Sequence, residues 1–107
     1  MNKLALAAVL TLTLSACATQ TGRMDWWTLG PQSFKQATPG TSKADVERMV
    51  GKPMLVAMFD RVGEEVWDYR YADGSLVGIT EVHFDRQGKV KYYTQFPDPA
   101  WYNSHSE

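Results

Sequence analysis

The sequence has little that could support metal, redox or hydrolytic chemistry. Its 107 residues include one cysteine, Cys17, and two histidines, His83 and His105. A single cysteine excludes a disulfide within the chain, and the histidines do not form a zinc-binding motif. His83 shares a predicted strand face with Glu81, a pair that suits a surface contact better than a proton relay. No serine lies in a Gly-x-Ser-x-Gly pattern, and the glycines stand singly. We therefore expect no enzyme, no cofactor, no metal and no small-molecule substrate.

The chain also lacks an excess of charge of either sign. It has 11 Lys and Arg residues against 12 Asp and Glu residues, a formal net charge of −1. The basic residues are scattered, whereas nucleic-acid binding requires them to be concentrated on one face. We therefore exclude nucleic acid as a partner, and also a membrane contact that depends on clustered basic residues.

A long apolar run is present at the N-terminus alone. Residues 4–14 are predominantly apolar, but this run is shorter than the ~20 residues that a transmembrane helix needs. A lysine precedes the run and small residues follow it, which is the order of a secretory signal. The tetrad Leu-Ser-Ala-Cys at 14–17 resembles a lipobox, where the thiol is acylated and the chain is cut before the cysteine. We predict a lipoprotein signal peptide over residues 1–16.

Cys17 is the predicted site of lipid attachment. A cleaved, soluble periplasmic protein would leave unexplained why the sole cysteine falls at the cut site. Acyl chains contribute ~0.8 kcal/mol for each buried methylene, and more than one chain makes the attachment durable. Ala18 stands where an aspartate would retain a bacterial lipoprotein at the inner membrane. We therefore expect the outer membrane, on its periplasmic side, with residues 17–30 as the lipidated cysteine and a flexible tether.

Two short helices are predicted ahead of any strand. The first spans residues 30–37, where a proline opens the first turn and a Pro-Gly pair closes the segment. The second begins after Ser42, whose hydroxyl can cap it by accepting a hydrogen bond from the Asp45 amide. Two valines and a methionine at helical spacing then form one apolar stripe, and Gly51 ends the helix.

Four strands are predicted next, at residues 54–59, 66–71, 76–84 and 90–96. Turns rich in Asp and Gly separate them, and connections this short allow antiparallel pairing alone. The predicted fold is α+β, a two-layer sandwich with two short N-terminal helices packed on a three- or four-stranded antiparallel meander. We assign this domain to residues 31–96. Residues 97–107 form a tail too rich in Pro, Asn and Ser for a regular element.

One face of the second predicted strand is aromatic, because Trp67, Tyr69 and Tyr71 alternate along it. These side chains could form a recognition surface, since Trp and Tyr dominate binding hot spots. We favour a core position beneath the helices, because a domain this small needs large side chains inside it. The opposite face then offers Asp68 and Arg70 to a partner, and an open sheet edge could accept an added strand.

Several motifs, taken in order, carry a family resemblance. They are Pro-Gly-Thr-Ser-Lys-Ala-Asp-Val at 39–46, Gly-Lys-Pro at 51–53, Trp67-x-Tyr69, and Val-His-Phe-Asp at 82–85 with Gly88 and Val90. This succession resembles the BamE (SmpA/OmlA) lipoprotein family. Two departures stand out: the stretch between Pro53 and Trp67 is longer than in BamE itself, and Asp68 replaces an aromatic or apolar residue.

The resemblance implies a small two-layer fold, an outer-membrane lipid anchor and a non-catalytic role. BamE is an accessory lipoprotein of the β-barrel assembly machinery, and it contacts the central barrel subunit and the lipid surface. We therefore expect a membrane contact through Cys17 and an envelope protein partner, with the β-barrel assembly machinery as the first candidate. Two alternatives stay open: an inhibitor that plugs a hydrolase cleft, and a structural protein that binds peptidoglycan or lipid headgroups.

Four residues are the candidate partner-binding positions: Phe59, Asp68, Arg70 and Trp101. In an inhibitor, the hairpin at 54–66 or the aromatic pair at 101–102 would be the inserted part. The aromatic pair at 26–27 is unusual so close to an anchor. It suits either an interfacial or partner contact, or packing of the indoles on the domain.

We predict that the native protein begins at Cys17 and carries acyl chains on its sulfur. Mass spectrometry of the product purified from its own membrane should find the lipid and no residue of 1–16. A free thiol on Cys17, or a retained leader, would contradict the lipoprotein interpretation.

Overall fold

The computed structural model describes residues 25–105, so the predicted signal peptide and Cys17 lie outside the described residues. In chain order the elements are 3₁₀ helices at Trp26–Thr28 and Pro31–Phe34, α1 at Lys43–Val50, β1 at Leu55–Phe59, β2 at Glu64–Asp73, β3 at Leu76–Phe84, β4 at Val90–Pro97 and α2 at Pro99–His105. The strands pair antiparallel in the order β1-β2-β3-β4. The predicted meander and the α+β class are confirmed.

The prediction of two N-terminal helices is not confirmed, because one α-helix precedes the sheet in the described range. The segment Pro31–Phe34 forms a single 3₁₀ turn. The Ser33 hydroxyl accepts a hydrogen bond from the Gly30 amide at 2.9 Å, which fixes the entry to this turn. Pro39 sets the far limit of the segment, because it disfavours the α conformation at the residue before it.

The second predicted helix is confirmed as α1. The Ser42 hydroxyl accepts a hydrogen bond from the Asp45 amide at 3.1 Å, as an N-cap does. Gly51 ends the helix with φ at 82°, a left-handed conformation that glycine adopts at little cost. Val46 and Val50 are buried. The helix therefore docks its apolar stripe, as a helix too short to persist alone must.

The core lies between α1, the second 3₁₀ helix and one face of the sheet. Phe34 is fully buried there, with its ring centroid 5.4 Å from that of Tyr69 and 6.5 Å from that of Tyr71. Trp67 packs on Phe84 with centroids 4.7 Å apart. The aromatic face of β2 is thus core rather than a recognition surface, as the sequence favoured.

The tail is helical, so the prediction that it holds no regular element is wrong. α2 covers Pro99–His105 and lies directly after β4. The Asp98 carboxylate accepts hydrogen bonds from the amides of Ala100 and Trp101, at 3.0 and 3.4 Å. An aspartate cap followed by a proline is a strong helix start. It outweighs the low helix propensity of the Asn and Ser residues that follow.

Phe84 and Phe59 provide a matched pair for testing which aromatic residues hold the fold. Phe84 is fully buried, whereas Phe59 is 51% exposed. We expect Phe84→Ala to lower the free energy of unfolding by about 3–5 kcal/mol. Phe59→Ala should change it by about 0.5 kcal/mol or less, as is usual for surface positions. Urea unfolding measures both, and a large loss for Phe59→Ala would show that β1 contributes to the core.

Candidate functional site

β1 is an apolar strand that the rest of the domain leaves uncovered. All five of its residues are exposed, and Leu55 and Met58 each keep 60% of their accessible surface. The strand pairs with β2 on one side, and in the described range no strand pairs with its other side. Val62, in the turn that follows, is also exposed and extends the apolar surface. We call residues 55–59 together with Val62 the β1 edge.

The composition of the β1 edge is unusual for an open sheet edge. Natural proteins protect such edges with lysine, proline, bulges or short strands, because unpaired backbone groups recruit other chains. Residues 54–59 contain no charged side chain and no proline. Along the chain, the charged residues Asp60 and Arg61 follow the strand, in the turn beyond it. The edge is therefore suited to contact with another molecule.

Acidic side chains of β2 flank the β1 edge. Asp68 stands opposite Leu55, and Glu64 stands opposite Phe59. Glu64 is paired with Lys91, and this hydrogen bond keeps the pKa of the Glu64 carboxyl below its usual value. Burial raises the pKa of Asp68, and the negative charge of Glu81 raises it further. Asp68 is thus a partly desolvated carboxylate beside the apolar strand.

Arg70 and Trp101 form a separate cluster that holds the domain together. The Arg70 Nε donates a hydrogen bond to the Asp98 Oδ2 at 2.7 Å. The guanidinium also lies 5.5 Å from the ring centroid of Trp26 and 5.9 Å from that of Trp101, within range of cation–π attraction. The structure therefore brings two of the four predicted site residues together, but as packing partners of each other. Phe59 and Asp68 belong to the other surface.

The two residues of the aromatic pair at 26–27 have different surroundings. Trp26 packs on the domain, with its ring centroid 5.7 Å from that of Trp101. Trp27 meets Trp26 edge to face and remains 61% exposed. Packing thus accounts for the first indole, and the second stays available for contact.

A cavity lies in line with β1, beyond the first residue of the strand. β2 pairs with β1 as far as Asp68, and further on the Ala72 amide donates a hydrogen bond to the Leu29 carbonyl. Between these two points the edge of β2 borders a cavity of about 160 Å³. Leu29, Val50 and Met54 give it an apolar lining. Lys52 and Arg70 also line it and bring positive charge to the cavity.

His83 does not form the proton relay that its strand partners could have allowed. Its Nε2 lies 3.6 Å from a Glu81 oxygen and its Nδ1 lies 3.9 Å from a Glu64 oxygen, beyond ordinary hydrogen-bond distance. The imidazole instead stacks on Tyr92 with centroids 4.4 Å apart. Across residues 25–105, no three His, Cys, Asp or Glu side chains come together as a metal site.

Within the same range, no helix combines the length and apolarity needed to cross a bilayer.

The sequence identified β1 as a strand but did not indicate its exposure. Leu55, Val56 and Met58 were therefore not among the four candidate partner-binding residues, and they entered the sequence analysis only as part of the 54–66 hairpin of an inhibitor. The available signal was the lack of alternation: an uncharged run, apolar on both faces, predicts either a strand covered on both sides or one that binds something. Sequence alone does not separate these two cases.

Comparison with protein-family models matches residues 29–94 to the outer membrane protein assembly factor BamE domain. This range contains α1, β1, β2, β3 and most of β4. The solved structure of a putative osmotically inducible lipoprotein, OsmE, is similar to this chain, with a TM-score of 0.53 and 17% sequence identity. The similarity covers 72% of this chain and 92% of that chain, and at such low identity it supports the fold alone. A comparison with curated proteins gives no significant match.

The raised pKa of Asp68 has a consequence for stability. A carboxyl whose pKa is higher in the folded state than in the unfolded state opposes folding once it ionises. We therefore expect Asp68→Asn to stabilise the protein at pH 7. The gain should shrink as the pH falls through the folded pKa, and it should vanish well below the usual value of 3.8.

Urea unfolding at several pH values measures this effect, with Asp60→Asn in the exposed turn as the control. The control should change stability little at any pH. Equal stabilisation by Asp68→Asn at pH 7 and at pH 3 would contradict the desolvation argument.

Proposed function

Because the chain belongs to the BamE domain family, we propose that it is a lipid-anchored binding module of the bacterial outer membrane. Cys17 carries the anchor, residues 17–30 give reach, and the domain faces the periplasm. Its role is to hold a protein partner, as an accessory to the assembly of β-barrel proteins. This proposal includes no catalytic step.

The β1 edge is the observation that supports a binding function. A small domain gains stability by burying apolar side chains, at roughly 25 cal/mol for each Å² removed from water. This chain leaves an entire apolar strand exposed while it buries Phe34, Val82 and Phe84 completely. Exposed apolar patches on an otherwise packed domain mark contact sites. The edge also offers backbone hydrogen-bonding groups, which an apolar surface on a helix would not.

A hydrolase inhibitor is the second candidate, because the β1–β2 hairpin could enter a cleft. The turn at 60–63 is largely exposed, and it carries Val62 beside the apolar strand. The other part considered for insertion, the aromatic pair at 101–102, is held on the sheet: the Tyr102 hydroxyl accepts a hydrogen bond from the Val77 amide at 3.2 Å. The hairpin is therefore the segment that an inhibitor would use.

Photocrosslinking in living cells tests the binding function. A photoreactive phenylalanine analogue at position 59 replaces a half-exposed aromatic residue of the β1 edge. The same analogue at position 92 is the matched control, since Tyr92 is 46% exposed but lies on β4 at the far side of the sheet. We expect position 59 to capture a subunit of the β-barrel assembly machinery, and position 92 to capture far less of it.

The identity of the captured protein separates the candidates. Capture of a periplasmic hydrolase at position 59 would favour the inhibitor. Equal capture at positions 59 and 92 would remove the β1 edge from the argument. If position 59 captured no envelope protein at all, the binding function would be wrong.

A further inference from the structure

We propose that the sheet face opposite the core binds a partner segment in which an arginine stands beside a large apolar side chain. The arginine bridges the carboxylates of Asp68 and Glu81, and the apolar side chain packs on Leu55 and Phe59. We call these four residues the acidic–apolar face. This inference rests on the proposed binding function and names the chemistry of the partner segment that is bound.

The strand register brings the acidic–apolar face together on one side of the sheet. Asp68 stands directly opposite Glu81 on β3 and directly opposite Leu55 on β1. Side chains alternate along a strand, so these three point away from the core face that Trp67 occupies. Phe59 shares a face with Leu55, since it lies four positions further along β1. Leu55 is 60% exposed and Phe59 is 51% exposed, so an open apolar pair borders two carboxylates.

The two carboxylates of this face have no basic partner among the described residues. The four strands together contain two Lys or Arg residues, Arg70 and Lys91. Each of these is paired with a different carboxylate, which in the case of Arg70 lies at 2.7 Å. Across residues 25–105, no Lys or Arg nitrogen lies within 4 Å of the carboxylate of Asp68 or of Glu81. The face therefore carries unbalanced negative charge.

His83 does not balance this charge. Its Nε2 lies 3.6 Å from a Glu81 oxygen, which is longer than a hydrogen bond, and stacking on Tyr92 holds the ring in place. Burial and then the charge of Glu81 raise the pKa of Asp68, and the opposing effect of His83 does not cancel the increase. Like charges directly opposite each other destabilise a sheet. A cation supplied by a partner would remove this repulsion.

The chemistry of the face favours arginine as that cation. A guanidinium is planar and carries five N–H donors, so one group can reach two carboxylates on neighbouring strands. It is also more weakly hydrated than the ammonium of a lysine, which suits the partly desolvated Asp68. A metal ion is a poorer fit, because no three His, Cys, Asp or Glu side chains in the described range come together to hold one. A metal ion would also leave Leu55 and Phe59 without a contact.

A second copy of this chain fits the face less well than a different partner. The turn after β1 presents Arg61 and Val62, and Val62 is 56% exposed, so it has the required combination of residues. Asp60 directly precedes Arg61, however, and would bring a third carboxylate to the acidic pair. Self-association is therefore an outcome for the experiment to exclude.

Binding of small peptides to the full chain in detergent micelles tests the inference. The probe is the dipeptide Phe-Arg with an acetylated N-terminus and an amidated C-terminus. A matched dipeptide carries citrulline, which has the shape of arginine without its charge. We expect the arginine peptide to shift the nuclear magnetic resonance signals of the amides at positions 55, 68 and 81. The citrulline peptide should bind about tenfold more weakly or worse, since charged hydrogen bonds are lost.

Two double variants locate the binding to the face. Asp68→Asn with Glu81→Gln removes both charges at nearly constant shape, and it should reduce the affinity for the arginine peptide to that for the citrulline peptide. Asp25→Asn with Asp73→Asn is the matched control, because it removes the same charge from two exposed residues elsewhere. This control should leave both affinities unchanged. Urea unfolding should find the first variant at least as stable as the parent, so weaker binding cannot result from unfolding.

The same double variants extend the test to the natural partner. They are combined with the photoreactive analogue at position 59, and capture in living cells is compared. We expect Asp68→Asn with Glu81→Gln to reduce the captured protein by about tenfold or more. Asp25→Asn with Asp73→Asn should leave the amount unchanged.

Equal binding of the arginine and citrulline peptides would overturn the inference, and so would unshifted signals at about 20 mM peptide. A dimer in sedimentation that Arg61→Gln abolishes would do the same, because a second copy would then occupy the face. Capture from position 59 that persists without the two carboxylates would reject the inference and keep the proposed function. If position 59 of the parent captured no envelope protein, both would be wrong.

Discussion

The hydrogen bond between the Tyr69 hydroxyl and the Gly51 carbonyl connects the core to the β1 edge. Tyr69 is 2% exposed and packs on Phe34, so its position is fixed by the aromatic core. Burial raises the pKa of this hydroxyl, which therefore stays protonated and remains a donor. Its acceptor is the residue that ends α1, from which the chain turns towards β1. The direction of β1 and the opening of the cavity beside it thus depend on one tyrosine of the core.

The coverage of the sheet explains why β1 alone is left open on both faces. On one face, α1 and Phe34 cover β2 and β3 but do not extend over Val56 and Met58, which stay exposed. On the other face, α2 is held by the Asp98–Arg70 ion pair and by the contact of Trp26 with Trp101. These contacts are made at Arg70, beyond Asp68, where the pairing of β2 with β1 ends. The domain has two covering layers, and both end before the first strand.

Local signals in the sequence were sufficient for most of the fold. The cap at Ser42, the glycine turns and the alternation of Trp67, Tyr69 and Tyr71 each act over a few residues, so α1, the four strands and the core face could be predicted. The exposure of β1 could not, because it depends on how far other elements extend over it. Arg70 and Trp101 were predicted to contact a partner. Their packing on each other could not be predicted either, because it joins segments that are distant in sequence. The helix in the tail was predictable from the Asp-Pro start, and the polar composition obscured it.

The position of the charged residues near β1 indicates that the exposed apolar strand has a function. Asp60 and Arg61 stand directly after the strand, so protection of this edge would have required a charged residue only one or two positions earlier. Asp68, on the neighbouring strand, keeps a partly desolvated carboxylate that opposes folding at neutral pH. An open apolar edge also carries a risk of aggregation. A chain that bears both costs, although it buries Phe34, Val82 and Phe84 completely, has a reason outside its own stability. The contact with another molecule that we propose supplies that reason.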